Sequence, residues 1–105
     1  MLDGSDFAAL ALSFPGTEEQ AHFDRIGFRV SARRMFATYL SKDNSANVFL
    51  TPAEQSVFCQ MDPENIFPVP NKWGERGATT FDLNNVSEDI LREALWSAYN
   101  AILKK

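Results

Sequence analysis

At 105 residues, with 45% apolar side chains, nine phenylalanines and a net charge of −4, the chain is sized for one packed domain over 1–105, and an extensively disordered chain is excluded. A lone cysteine, Cys59, excludes an internal disulfide or a Cys-x-x-Cys site and fits a reducing compartment. The longest early apolar run, Phe7 to Leu12, is too short for a membrane span and follows Asp3 and Asp6 where a secretory leader would be basic, so a cytoplasmic protein is expected.

Phe7, Leu10, Ala11 and Phe14 recur at helical spacing, predicting a first helix from Asp6 to Phe14 with Ser5 as N-cap and Pro15-Gly16 as its stop. Thr17 to Asp24 is polar and acidic and reads as a connection. From Ile26 the period changes to two, with Ile26, Phe28 and Val30 on one face of a half-buried strand. Ser31 to Arg34 separates it from Met35 to Leu40, so the economical reading is a β-hairpin with Arg33 and Arg34 at its tip. The second run is apolar on both alternations, which leaves its core face open.

Lys42 to Ser45 is a turn into a third strand, Ala46 to Leu50. Thr51-Pro52-Ala53-Glu54 then marks a helix start: an N-cap threonine, proline at the first helical position, and glutamate three residues after the cap. Ala53, Val57, Phe58 and Met61 supply its expected apolar side, and Asp62-Pro63 ends it. Ile66 to Val69 reads as an edge strand between prolines, and Ala78 to Leu83 as the last strand. Ser87 opens a final helix with Glu88 and Asp89 in its first turn and Lys104 and Lys105 at its end. Leu91, Leu95, Ala98 and Ile102 form its core stripe with Ala94, and Trp96 and Tyr99 widen the arc. The order α-β-β-β-α-β-β-α, with hairpin-connected strands, predicts an α+β domain with an antiparallel sheet of about five strands.

Charge is segregated along the chain. Arg25 to Lys42 carries five positive charges and no acid, which leaves −9 for everything else. A basic segment on an acidic body favours a local anionic partner over general stickiness to polyanions. Arg29, Arg33, Arg34 and Lys42 are the candidate phosphate contacts, with Arg25 nearby and Tyr39 offering a ring. The alternative is a solvated strand face whose arginines pair with Asp24, Asp43 or Glu75. Four engaged phosphates of duplex DNA would give log K against log salt a slope of about −3.6.

Lys72-Trp73-Gly74-Glu75-Arg76-Gly77 is the second candidate: two glycines would let the backbone approach a ligand, Lys72 and Arg76 supply charge, and Trp73 could stack on a base. Its structural reading is a turn with Trp73 packed against the sheet. His22 and Asp24 with Glu18 or Glu19 make a weak metal set, and Cys59 reads as a small apolar residue. No nucleophile, base and orienting group stand together, so no catalytic residue, metal or cofactor is expected.

Three blocks resemble the successive motifs of the MmcQ/YjbR family: LALSFPGTEE at 10–19, FRVSARRMFA at 28–37 and KWGERGATTFDL at 72–83. The resemblance extends through the closing helix with Trp96 and Tyr99. It implies an α+β fold similar to type III secretion chaperones, described as a double wing, and a DNA-binding label that rests on the fold. Where a Gly-Lys type of turn is common in the family, Ser31-Ala32-Arg33-Arg34 stands here and adds charge at the tip. Together these readings predict a non-enzymatic protein that binds DNA weakly through its backbone, using Arg29, Arg33, Arg34 and Lys42 on one wing and Lys72, Trp73 and Arg76 on the other. The rivals are a chaperone-like adaptor, which would hold a protein at a sheet edge or at the Trp96/Tyr99 helix face as a monomer or weak dimer, and a small-anion pocket around Trp73 and Arg76.

Overall fold

The computed structural model describes residues 1–104; Lys105, expected at the end of the last helix, lies outside the described residues. The elements run α1 (Gly4–Leu12), β1 (Thr17–His22), β2 (Arg25–Val30), β3 (Met35–Leu40), β4 (Ser45–Phe49), α2 (Pro52–Met61), β5 (Ile66–Pro68), α3 (Lys72–Glu75), β6 (Ala78–Asp82) and α4 (Glu88–Leu103). The α+β class stands, with six antiparallel strands in the order β1-β2-β3-β4-β6-β5. The added strand is β1, which the sequence had as a connection. Its residues Thr17 to His22 pair in register with Val30 to Arg25, so the ladder of β2 makes a strand of a segment whose side chains carry no period-two pattern.

The helices cover one face of the sheet. On β2 to β6 the inward row buries Phe28, Val30, Ala37, Tyr39, Ala46, Val48, Ile66, Thr79 and Phe81 and leaves Ile26 exposed. Phe7 of α1 meets Phe28 edge-on at 5.4 Å and stacks on Tyr39 at 6.0 Å. The open question of the Met35–Leu40 core face is answered by a bulge. Phe28 pairs with Ala37 while Arg29 pairs with Met35, so Phe36 is an extra residue and turns to the helices as well, meeting Phe14 and Tyr99. Among the described residues the other face of the sheet carries no helix, and it presents Arg25, Thr38, Asn47 and Thr80.

Helix starts follow local chemistry, with one difference from expectation. The Thr51 and Glu54 capping box is formed in full. In α1 the N-cap is Asp3, not Ser5, because Asp3 and Asp6 cap each other's backbone reciprocally, and the helix accordingly starts and ends earlier than expected. The predicted apolar side of α2 does not hold. Only Phe58 is buried there, while Val57 and Met61 are 54% and 50% exposed, because α2 packs on the edge strand β5 and on α4 with its Phe58 side and turns the Val57 and Met61 side to solvent. In α4 the Leu91, Ala94, Leu95, Ala98 and Ile102 stripe is buried as expected, joined by Tyr99.

Candidate nucleic-acid interface

The strand pairings define two ends of the sheet. One end holds the β2–β3 turn, the β4–α2 junction, the α3 segment before β6 and the end of α4; the other holds the β1–β2 and β3–β4 turns, the α2–β5 connection and the starts of α1 and α4. Arg33 and Arg34 sit in the β2–β3 turn, and Lys72, Trp73 and Arg76 belong to α3. Both groups therefore occupy the same end, separated by three strand spacings, about 14 Å. Lys42, in the β3–β4 turn, is at the opposite end.

The arginines differ in what already engages them. Arg29 lies on the open sheet face and donates to the Glu18 carboxylate at 3.2 Å; the Ser31 hydroxyl and then Arg29 hold the Glu18 pKa below its ordinary value. The Arg29 Nε is buried without a hydrogen-bond partner. The Arg33 guanidinium donates to the Ile102 carbonyl at 3.1 Å, where a helix C-terminus leaves acceptors unsatisfied and favours positive charge. Arg34 beside it is exposed. Arg25 reaches across the open face to Thr38 Oγ1 at 3.4 Å.

The α3 segment is held rigidly by its own backbone. Asn71 caps it by accepting from the Trp73 amide at 2.8 Å, and Gln55 of α2 donates to the carbonyls of Gly74 and Ala78 at 2.9 and 3.0 Å. The two glycines serve close packing within the protein, not ligand approach. A Cβ on Gly74 would lie 1.7 Å from the Val69 carbonyl oxygen, and one on Gly77, at φ +115°, 1.9 Å from that of Leu50. Trp73 does not pack against the sheet: it is 62% exposed, with the Arg76 guanidinium 5.6 Å from its ring centroid.

The two ends are oppositely charged. Arg33, Arg34, Lys72, Arg76 and Lys104 gather at the first, with Glu54 and Glu75. The second carries Asp3, Asp6, Asp24, Asp43, Asp62, Glu64, Asp82, Glu88 and Asp89 against Arg25, Lys42 and Arg92. Glu18, Glu19, Arg29 and Glu93 lie between. The run from Arg25 to Lys42 is thus split across the molecule, while residues distant in sequence assemble a basic end. Lys104, which the sequence offered only as a helix-end charge, joins it because α4 finishes beside the β2–β3 turn.

His22 closes β1 with its ring edge-on to Phe23 at 5.0 Å, and among the described residues no group of three or more His, Cys, Asp or Glu side chains is placed to hold a metal ion. Burial pushes the Cys59 thiol above its ordinary pKa. Tyr99 turns inward, its hydroxyl donating to the Pro15 carbonyl at 2.6 Å, whereas Trp96 remains 51% exposed against Phe14. A shallow cleft of about 400 Å³ on the open face is lined by Arg25, Asn47, Phe67, Thr80 and Asp82 among others. No helix among the described residues is long and apolar enough to cross a membrane.

Comparison with known proteins places the chain. No curated protein matches it. A solved structure, protein DR2400 of Deinococcus radiodurans with a DUF419 domain, is similar over 100% of this chain and 81% of its own, at 23% identity with a TM-score of 0.81, and so shares the fold. The YjbR family model matches residues 12–101, which contain all six strands, and the chain belongs to the YjbR family.

Proposed function

We propose that the protein is a non-enzymatic, weak nucleic-acid-binding module that meets the sugar-phosphate backbone with its basic end. The observation that carries this is that Arg34, Lys72, Arg76 and Lys104 share one end of the sheet with an exposed Trp73, opposite an end that carries nine carboxylates among the described residues. Such a charge dipole orients the molecule toward a polyanion even though its net charge is negative. The contact set is smaller than the basic hairpin suggested, since Glu18 engages Arg29 and Lys42 faces away.

Trp73 makes single strands the better substrate, because every unpaired base offers a face for stacking whatever its identity, worth about 1–3 kcal/mol per base. Arg34, Lys72 and Arg76 engaging three phosphates give a salt slope of about −2.1 on a single strand and about −2.7 on a duplex. Anisotropy titrations of labelled single-stranded and duplex oligonucleotides at low salt test this. The expected result is micromolar affinity that favours the single strand, falls with those slopes, and drops about 5- to 150-fold in Trp73→Ala. Absence of binding in the micromolar range, or full affinity in an Arg34→Ala, Arg76→Ala variant, removes the proposal.

A further inference from the structure

Among the described residues Phe23 stands apart from every other aromatic side chain in the fold. It occupies the first of two residues linking β1 to β2, between the paired His22 and Arg25, and its φ is +59°. That left-handed conformation at a two-residue hairpin turn ordinarily selects glycine, asparagine or aspartate, and is a steric outlier for a bulky side chain. The ring is 96% exposed, so burial within the chain does not compensate for the backbone conformation. Local turn chemistry and core packing both disfavour phenylalanine here, and contact with another molecule is the remaining source of stabilisation.

The surroundings restrict what that molecule can be. The turn lies at the acidic end, where among the described residues nine carboxylates face only Arg25, Lys42 and Arg92. Nucleic acid, anionic lipid and the same end of a second copy are repelled there. Behind the turn, Ala21 and Ile26 pair across the two strands and are exposed as well, which extends the apolar contact by one step. His22 supports the ring edge-on at 5.0 Å and leaves its outer faces open.

We infer that Phe23 is the anchor of a protein-docking surface, and that its partner is a cationic protein presenting an apolar socket ringed by lysine or arginine. The ring fills the socket and the carboxylates meet the rim, the arrangement in which one aromatic side chain dominates an interface. This site lies at the opposite end from the proposed nucleic-acid contacts and does not rest on them.

The test uses the full chain with a benzophenone-bearing phenylalanine at position 23. The molecule crosslinked in cells is identified, purified and titrated against the wild type and Phe23→Gly. Glycine suits the turn, so Phe23→Gly melts at a higher temperature than the wild type, and lost binding is not attributable to unfolding. The expected partner is a basic protein whose affinity falls at least about 30-fold with Phe23→Gly and weakens between low and moderate salt. Crosslinking to nucleic acid, lipid, a second copy or an acidic protein overturns the inference. So does affinity within threefold of wild type, no crosslink at all, or a lower melting temperature for Phe23→Gly. Oligonucleotide affinity stays unchanged in Phe23→Gly, so the two readings fail separately.

Discussion

Replacing Gly77 with alanine tests the packing that fixes the Trp73 segment. At φ +115° an L side chain is strained, at about 1–2 kcal/mol. Its Cβ would sit 1.9 Å from the Leu50 carbonyl oxygen, and ordinary carbon-oxygen contact at about 3.3 Å requires the two segments to part by roughly 1.4 Å. That movement works against the Leu50 amide's hydrogen bond to the Gly77 carbonyl at 3.2 Å, worth about 1 kcal/mol, and overpacking adds about 1–3 kcal/mol. The sum, about 3–6 kcal/mol, is a large share of the roughly 5–15 kcal/mol that holds a domain of this size folded. Gly16 supplies the control, since its φ is +77° but no atom lies within 4 Å of an added Cβ; Gly16→Ala therefore costs about 1 kcal/mol through the backbone alone. In urea, with a slope of about 1.5 kcal/mol/M, the midpoint falls by about 2 M or more for Gly77→Ala and by under about 1 M for Gly16→Ala. Equal midpoints would refute the reasoning, since they would mean that the close approach of the two backbones contributes nothing.

Neighbouring arginines should separate in the same assay. Arg33→Ala loses the bond to the Ile102 carbonyl and costs about 1 kcal/mol after allowing for exposure, whereas Arg34→Ala leaves the midpoint unchanged; equal effects would show that the α4 end does not depend on Arg33. Asp82 governs part of the acid limb. Desolvation raises its pKa, but hydrogen bonds from the Asn84 amide and the Asn85 and Asn84 side chains outweigh that and leave it below 3.8. A depressed carboxylate contributes stability above its unfolded pKa and loses it as pH falls through the folded value. Asp82→Asn is therefore less stable than wild type at neutral pH and shows a shallower decline below about pH 4; an unchanged acid limb would contradict the hydrogen-bond assignment.

The sequence is legible where local chemistry and burial agree. Thr51, Pro52 and Glu54 specify a helix start by side-chain and backbone bonds within four residues, and the Leu91, Leu95, Ala98 and Ile102 stripe faces the core it implies. β1 has no local signature because Thr17 to His22 gains its conformation from pairing with β2, while none of its own side chains is buried. On α2 the pattern misled, since Val57 and Met61 have helical spacing but the sheet is too narrow beside β5 to cover them. The charge run from Arg25 to Lys42 was visible, yet a hairpin sends its two ends in opposite directions. Which cations share a surface is decided by strand order, and so the company of Arg34 with Lys72, Arg76 and Lys104 had no local signature. Phe23 gave one faint signal, an aromatic in a polar stretch between paired strands, which becomes informative only with its backbone angle.

The most direct test of the basic-end account is an amide-resolved NMR titration of the full chain with a short single-stranded oligonucleotide at low salt. The expected shifts fall on residues 31–34, on 71–77 including the Trp73 indole, and on Lys104, and they fade as salt is raised. Shifts centred on the acidic end or scattered without regard to the charge dipole would contradict it, as would an unchanged spectrum at millimolar oligonucleotide.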